Sequence, residues 1–298
     1  MRPDRHGDED GEAVMTMALG IGTYALFWEW SEAVERPLDL AGMLERAGDL
    51  GCGVFQVCDY PPIETMSADQ LEDVRQQASD LGLALELGTR GTRPDHLNGY
   101  LDIAEALGVR LLRSMVRVGP GEPTLDESLA AVRGLLPRLH EDGVSLALET
   151  YEQLPSARLV RFVADVDDPR VGICLDPANC VASLELPGDV IDRCAPYTLN
   201  LHVKDFAFTR RDGWVGFTLA GAAMGEGLLD LGAELSAVRP LERGISMIVE
   251  HWLTWQGDPR TTVAMERRWT RQTLARVRSG LGDHIEETIE DEGEPNHE

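Results

Sequence analysis

The chain has almost no lysine. Of its 27 basic residues 26 are arginine, and Lys204 is the one exception. A GC-rich coding sequence favours arginine codons, which accounts for the missing lysines but not for the one that remains. Arginine cannot lose its proton or act as a compact ammonium, so position 204 marks a place where that chemistry is needed. Basic residues are scarce as a class: 27 against 52 acids give a formal charge of −25. A surface of that sign argues against nucleic acid and anionic membrane as partners. Long apolar runs are missing too. None approaches the roughly 18–20 residues of a membrane span, and the acidic N-terminus does not read as a secretory signal. The five cysteines, at 52, 58, 174, 180 and 194, form no CxxC pair. A zinc clip or disulfide frame is therefore not indicated, and reduced thiols in a cytoplasmic protein are expected.

What is present suits one large core: 298 residues, 43% of them hydrophobic. Acid collects at the ends. Residues 283–298 hold eight acids and no arginine, and residues 1–14 hold five acids and two arginines. Segments 1–16 and 281–298 read as disordered acidic tails around a single domain at 17–280.

Within that domain short apolar runs alternate with helical periodicity. Strands are expected at 18–22, 54–57, 84–87, 110–113, 145–149, 172–175, 198–203 and 246–250. Helices such as 38–50, 68–81, 96–107 and 125–140 lie between them. Ser67 and Thr124 are start signals, and Gly51, Gly82, Gly108 and Gly143 are stops. Eight strand–helix repeats match an α/β fold of the (β/α)8 TIM barrel type. No Gly-rich phosphate turn follows a strand, which argues against an open doubly wound sheet. The longest connection, 206–229, carries Arg210, Arg211, Trp214, five glycines and Glu226, and such insertions lie over the active site.

A barrel places its chemistry at the C-terminal ends of its strands. Strands five to eight end on Glu149, on Asp176, on His202 with Lys204, and on Glu250. The three spacings are 27, 26 and 48 residues, the last widened by the insertion. Three carboxylates and an imidazole on one rim repel each other without a cation. An oxygen-rich set with one nitrogen suits Mn2+ or Mg2+, with Co2+ or Zn2+ as alternatives.

These stretches, LALET at 146–150, CLDPAN at 174–179, LHVKDF at 201–206, MGEG at 224–227 and IVEH at 248–251, resemble the xylose isomerase-like TIM barrels of the sugar phosphate isomerase/epimerase superfamily. The resemblance spans about residues 18–275. It implies one divalent ion on Glu149, Asp176, His202 and Glu250, with Glu149 and Glu250 as proton-transfer bases on a sugar held by two oxygens. The sequence departs from ketose 3-epimerases, in which a Glu, a His and an Arg stand where this chain has Pro155, Asn179 and Phe208. It also lacks the extra histidines of the related DNA-repair endonucleases, with Thr89, Arg90 and Arg113 at those strand ends.

Arg90, Arg93 and Arg113 face the expected mouth and are suited to an acidic group. Lys204 lies two residues from His202, on the same strand face, and is expected to stabilise an enolate or donate a proton. Gln56 or Asp59 is expected to meet a hydroxyl. Glu86, Asn179 and the rim aromatic Trp28 complete the expected substrate contacts. The main expectation is a metal-dependent isomerase or epimerase acting through an enediolate on a small sugar-derived carbonyl compound. The alternative is a metal-dependent lyase, a decarboxylase or dehydratase of a keto sugar acid. The stretch from Glu86 to Met115 resembles the branch that includes 3-oxo-isoapionate decarboxylase. A Schiff-base aldolase using Lys204 and a non-catalytic sugar-binding barrel are the remaining readings. A homodimer or homotetramer is expected from the family resemblance.

Overall fold

The structure, a computed structural model, describes residues 18–211, 213 and 215–292, with side chains as far as Gly282. The expected N-terminal tail, Trp214 and residues 293–298 lie outside the described residues.

Eight parallel strands close a barrel: β1 (Leu19–Gly22), β2 (Val54–Cys58), β3 (Ala84–Gly88), β4 (Leu111–Ser114), β5 (Ser145–Glu149), β6 (Val171–Leu175), β7 (Thr198–Val203) and β10 (Ser246–Val249). The last strand pairs with both β1 and β7, so the sheet has no open edge. The expected TIM barrel is thus the observed fold. All five cysteines are free and buried. No helix among the described residues is long and apolar enough to cross a membrane.

The helices start and stop where local chemistry dictates. The helix Ala68–Asp80 opens with a reciprocal capping box between Ser67 and Gln70, and Leu125–Asp142 with one between Thr124 and Glu127. Each such cap contributes about 1 kcal/mol. Pro94–Leu107 ends on Gly108 at φ 71°, a left-handed conformation that glycine takes without strain. Its buried residues, Leu97, Tyr100, Leu101, Ala104 and Leu107, recur at helical spacing and pack on the sheet. The closing helix, Pro259–Glu292, continues beyond the domain boundary expected at 280, so residues 281–292 are helical where a disordered tail was expected.

Strand alternation divides the barrel's contents. Phe55, Leu85, Leu87, Leu201 and Val203 belong to the main apolar core. The alternate positions, Gln56, Glu86, Asn200 and His202, bond to one another inside the barrel.

The insertion after β7 is a hairpin, β8 (Asp205–Arg210) and β9 (Phe217–Ala222). Asp205 pins it to the barrel. Its carboxylate accepts the backbone N–H groups of Phe206, Gly225, Gly227 and Leu229 at 2.8–3.0 Å. A side chain at Gly227 would collide with that carboxylate. These contacts explain the aspartate of LHVKDF and the second glycine of MGEG. Asp205→Ala would strand buried donors, and the expected loss of stability is on the order of 3 kcal/mol in urea unfolding.

Candidate metal centre

Glu149 ends β5, Asp176 follows β6, His202 lies near the end of β7 and Glu250 follows β10. Each offers one ligand atom, and the four atoms lie within 4.8 Å of one another in a fully buried cluster. His202 Nδ1 stands 3.3 Å from Glu149 Oε1, 3.5 Å from Glu250 Oε1 and 3.9 Å from Asp176 Oδ2. Three of these atoms, Asp176 Oδ2, His202 Nδ1 and Glu250 Oε1, are buried without a hydrogen bond. Asp176 Oδ2 does lie 2.6 Å from Lys204 Nζ, an ion pair without hydrogen-bond alignment. Buried polar atoms are normally satisfied. Ligand atoms turned to one point are what a divalent cation requires, and the O,O,O,N set fits a hard ion.

Two cations sit against this cluster. Arg113, on β4, makes an ion pair with Glu149 and donates to the Thr89 carbonyl at 2.8 Å. Lys204 Nζ lies 2.6 Å from Asp176 Oδ2, 3.1 Å from Glu250 Oε2 and 4.8 Å from the centre of the Trp252 ring. Burial alone would raise the Glu149 carboxyl, but Arg113 and His202 hold it well below the usual range. Burial pushes Asp176 up to about 6 against the pull of Lys204. Burial would lower the Lys204 ammonium, yet Asp176 and Glu250 outweigh it and keep the charge in place.

Other expected residues fall into distinct places. Asn179 donates to Glu149 Oε1 at 3.0 Å, so it touches the cluster itself. Arg90 stands at the mouth, its side chain 46% exposed, bonded to Asp59 and to the Tyr24 hydroxyl. Arg113, at 4%, is buried beneath it. Arg93 is exposed and donates to the Gly121 carbonyl. The Trp28 indole N–H is taken by the Leu253 carbonyl at 2.8 Å, and its ring packs on Trp255. Gln56 and Glu86 differ from expectation. Both are buried in the barrel behind His202, and their polar atoms are taken by protein partners. Sequence reasoning missed the linkage of Tyr24, Asp59 and Arg90, which join three separate loops at the rim. Asp59 holds φ 49°, unusual outside glycine, and that strain has no signal in its neighbours. His96 is half-buried and bonded to Thr89.

Known proteins share the barrel. A 3-oxo-isoapionate decarboxylase of Pectobacterium atrosepticum is 50% identical over 258 residues, which cover 87% of this chain and 94% of that protein. The D-psicose 3-epimerase of Clostridium cellulolyticum H10, solved with D-tagatose, superposes with a TM-score of 0.68 at 18% identity, covering 89% of this chain and 99% of that one. A xylose isomerase-like TIM barrel protein of Mycobacterium smegmatis, solved with magnesium, gives 0.64 at 19%, covering 90% and 99%. Likeness at that level carries the fold and not the reaction, so the epimerase expectation draws less support than the lyase alternative. The family model described as xylose isomerase-like TIM barrel matches residues 44–273, and the chain belongs to that family.

Proposed function

We propose that this enzyme is a divalent-metal-dependent decarboxylase of a keto sugar acid, of the kind that the name of the Pectobacterium relative records, 3-oxo-isoapionate. The observation that carries the reading is that both glutamates expected to act as bases have cationic partners. Arg113 holds Glu149, and Lys204 holds Glu250. Epimerisation by two bases needs carboxylates free to take a C–H proton. Decarboxylation of a β-keto acid needs no such base. The C–C bond to the carboxylate breaks, its electron pair passes into the ketone to leave an enolate, and CO2 departs. One proton then returns to the carbon that bore the carboxylate.

Glu149, Asp176, His202 and Glu250 would hold a divalent ion, which would supply Lewis acidity to the ketone. Lys204 adds a fixed positive charge beside the cluster, where it opposes the negative charge that develops on the enolate. Arg90, exposed at the mouth, gives an incoming carboxylate a charged place to arrive. A Schiff-base aldolase would need a neutral amine at 204, and two carboxylates that keep it charged weigh against that reading.

Reaction in D2O separates the outcomes. Decarboxylation should leave deuterium only in the product, at the carbon that lost CO2. Deuterium washed into recovered substrate would favour the epimerase instead. Arg90→Ala should raise KM for the acidic substrate by about 10–100-fold, in line with the loss of one charge-assisted hydrogen bond. A neutral ketose should show little change in the same steady-state assay, and an equal loss on both substrates would mean that Arg90 only shapes the rim.

A further inference from the structure

Behind the cluster lies a polar chain that the chemistry above does not use. His202 Nε2 and Gln56 Oε1 are 2.9 Å apart. Gln56 Nε2 donates to Glu86 Oε2 and to Asn200 Oδ1, each at 3.1 Å. Asn200 Nδ2 donates to Glu86 Oε2 at 3.2 Å and to Ser246 Oγ at 2.8 Å. Ser246 Oγ donates to Glu86 Oε1 at 2.5 Å. The Cys174 thiol donates to Asn200 Oδ1 at 3.3 Å. Gln56, Glu86, Asn200 and His202 are all buried, on strands β2, β3 and β7. A barrel interior is ordinarily filled by layers of branched apolar side chains, so a connected polar layer there is a departure with a cost unless it is satisfied throughout.

With Glu86 ionised, the donors and acceptors run in one direction. Three donors converge on the Glu86 carboxyl, as they do on an acceptor. That turns the Gln56 amide nitrogen towards Glu86 and its oxygen towards His202. Two donors on Asn200 Oδ1 fix the second amide in the same sense. The Gln56 oxygen can accept only if His202 carries its proton on Nε2. Nδ1, the orphaned atom of the cluster, then keeps its lone pair.

We propose that Gln56, anchored by Glu86, is a positioning residue that locks His202 in the Nε2–H tautomer and aims Nδ1 at the divalent ion. Metal-bound histidines ordinarily give their second N–H to a carboxylate or carbonyl that holds the ring. Here an amide stands in that place and passes on the orientation set by a carboxylate further down the barrel. The assignment rests on the metal reading of the cluster and is independent of which reaction follows.

The test uses the full chain, without substrate, loaded with Zn2+ or titrated with Mn2+. In the Zn2+ protein, 1H–15N spectra of the histidine rings should show the His202 proton on Nε2. Gln56→Met keeps the volume and removes the acceptor, and it should weaken Mn2+ binding by about 10–100-fold and expose the ring proton to exchange. Glu86→Gln should retain near-wild-type affinity. Its amide oxygen can accept from Gln56 and Asn200 while its NH2 donates to Ser246 Oγ, so the direction of the chain survives. A ring proton on Nδ1 in the wild type overturns the assignment even if Gln56→Met fails to fold. So does wild-type affinity in a folded Gln56→Met. A wild type that binds neither ion would instead refute the metal reading itself.

Discussion

Replacing Lys204 by Met should lower kcat by roughly 10²–10³-fold, the loss expected when a preorganised charge is removed from a developing oxyanion. The ammonium lies between Asp176 Oδ2 and Glu250 Oε2 and over the face of Trp252. It is held where it cannot turn away or shed its charge. Lys204→Arg should not restore full turnover. A planar guanidinium is larger than the ammonium, and the space is closed by two metal-site carboxylates and an indole. Metal content should stay near wild type in both variants, because Lys204 is not among the four converging ligand residues. Full activity in Lys204→Arg would show that any cation suffices. Loss of metal would assign the lysine to holding Asp176 and Glu250 in place.

Removal of the divalent ion should have an effect at least as large. Lewis-acid stabilisation of several kcal/mol corresponds to roughly 10²–10⁴-fold in rate. The same ion should stabilise the fold. Asp176 Oδ2, His202 Nδ1 and Glu250 Oε1 are buried and make no hydrogen bonds. An ion that binds only the folded chain adds about 2.7 kcal/mol at a hundred times its Kd, read as a rise in Tm with added Mn2+ or Mg2+. Glu250→Gln should lose both the rate and most of the thermal shift. A Glu250→Gln protein that retains both would remove Glu250 from the site.

The convergence of Glu149, Asp176, His202 and Glu250 is legible because each closes an apolar run, and strand ends in a closed barrel share one rim. The capped helices were legible for an equally local reason: Ser67 and Thr124 need only a residue three positions on. What was not legible depended on height and neighbourhood. Strand alternation sends Gln56 and Glu86 inwards, but only the register, Gln56 beside Gly22 and Glu86, sets them below the mouth and behind His202. Arg113 lies opposite Ala147, so its side chain must extend along the barrel to reach Glu149, a contact invisible to spacing. That contact, together with Lys204 on Glu250, is what favours the lyase over the epimerase reading, since the four converging residues alone suit either. The sequence marks 206–229 as a long connection with five glycines and does not show the hairpin over 205–222. Its pairing is between exposed or half-exposed residues for most of its length, so no buried face marked it in the sequence.

The most direct measurement is CO2 released from a 3-oxo sugar acid by the protein as purified, after chelation, and after return of Mn2+ or Mg2+. The expected result is one CO2 for each substrate consumed, turnover lost on chelation, and turnover regained with either ion. Substrate converted to an epimer without CO2, or CO2 release that chelation leaves unchanged, would contradict metal-dependent decarboxylation at Glu149, Asp176, His202 and Glu250.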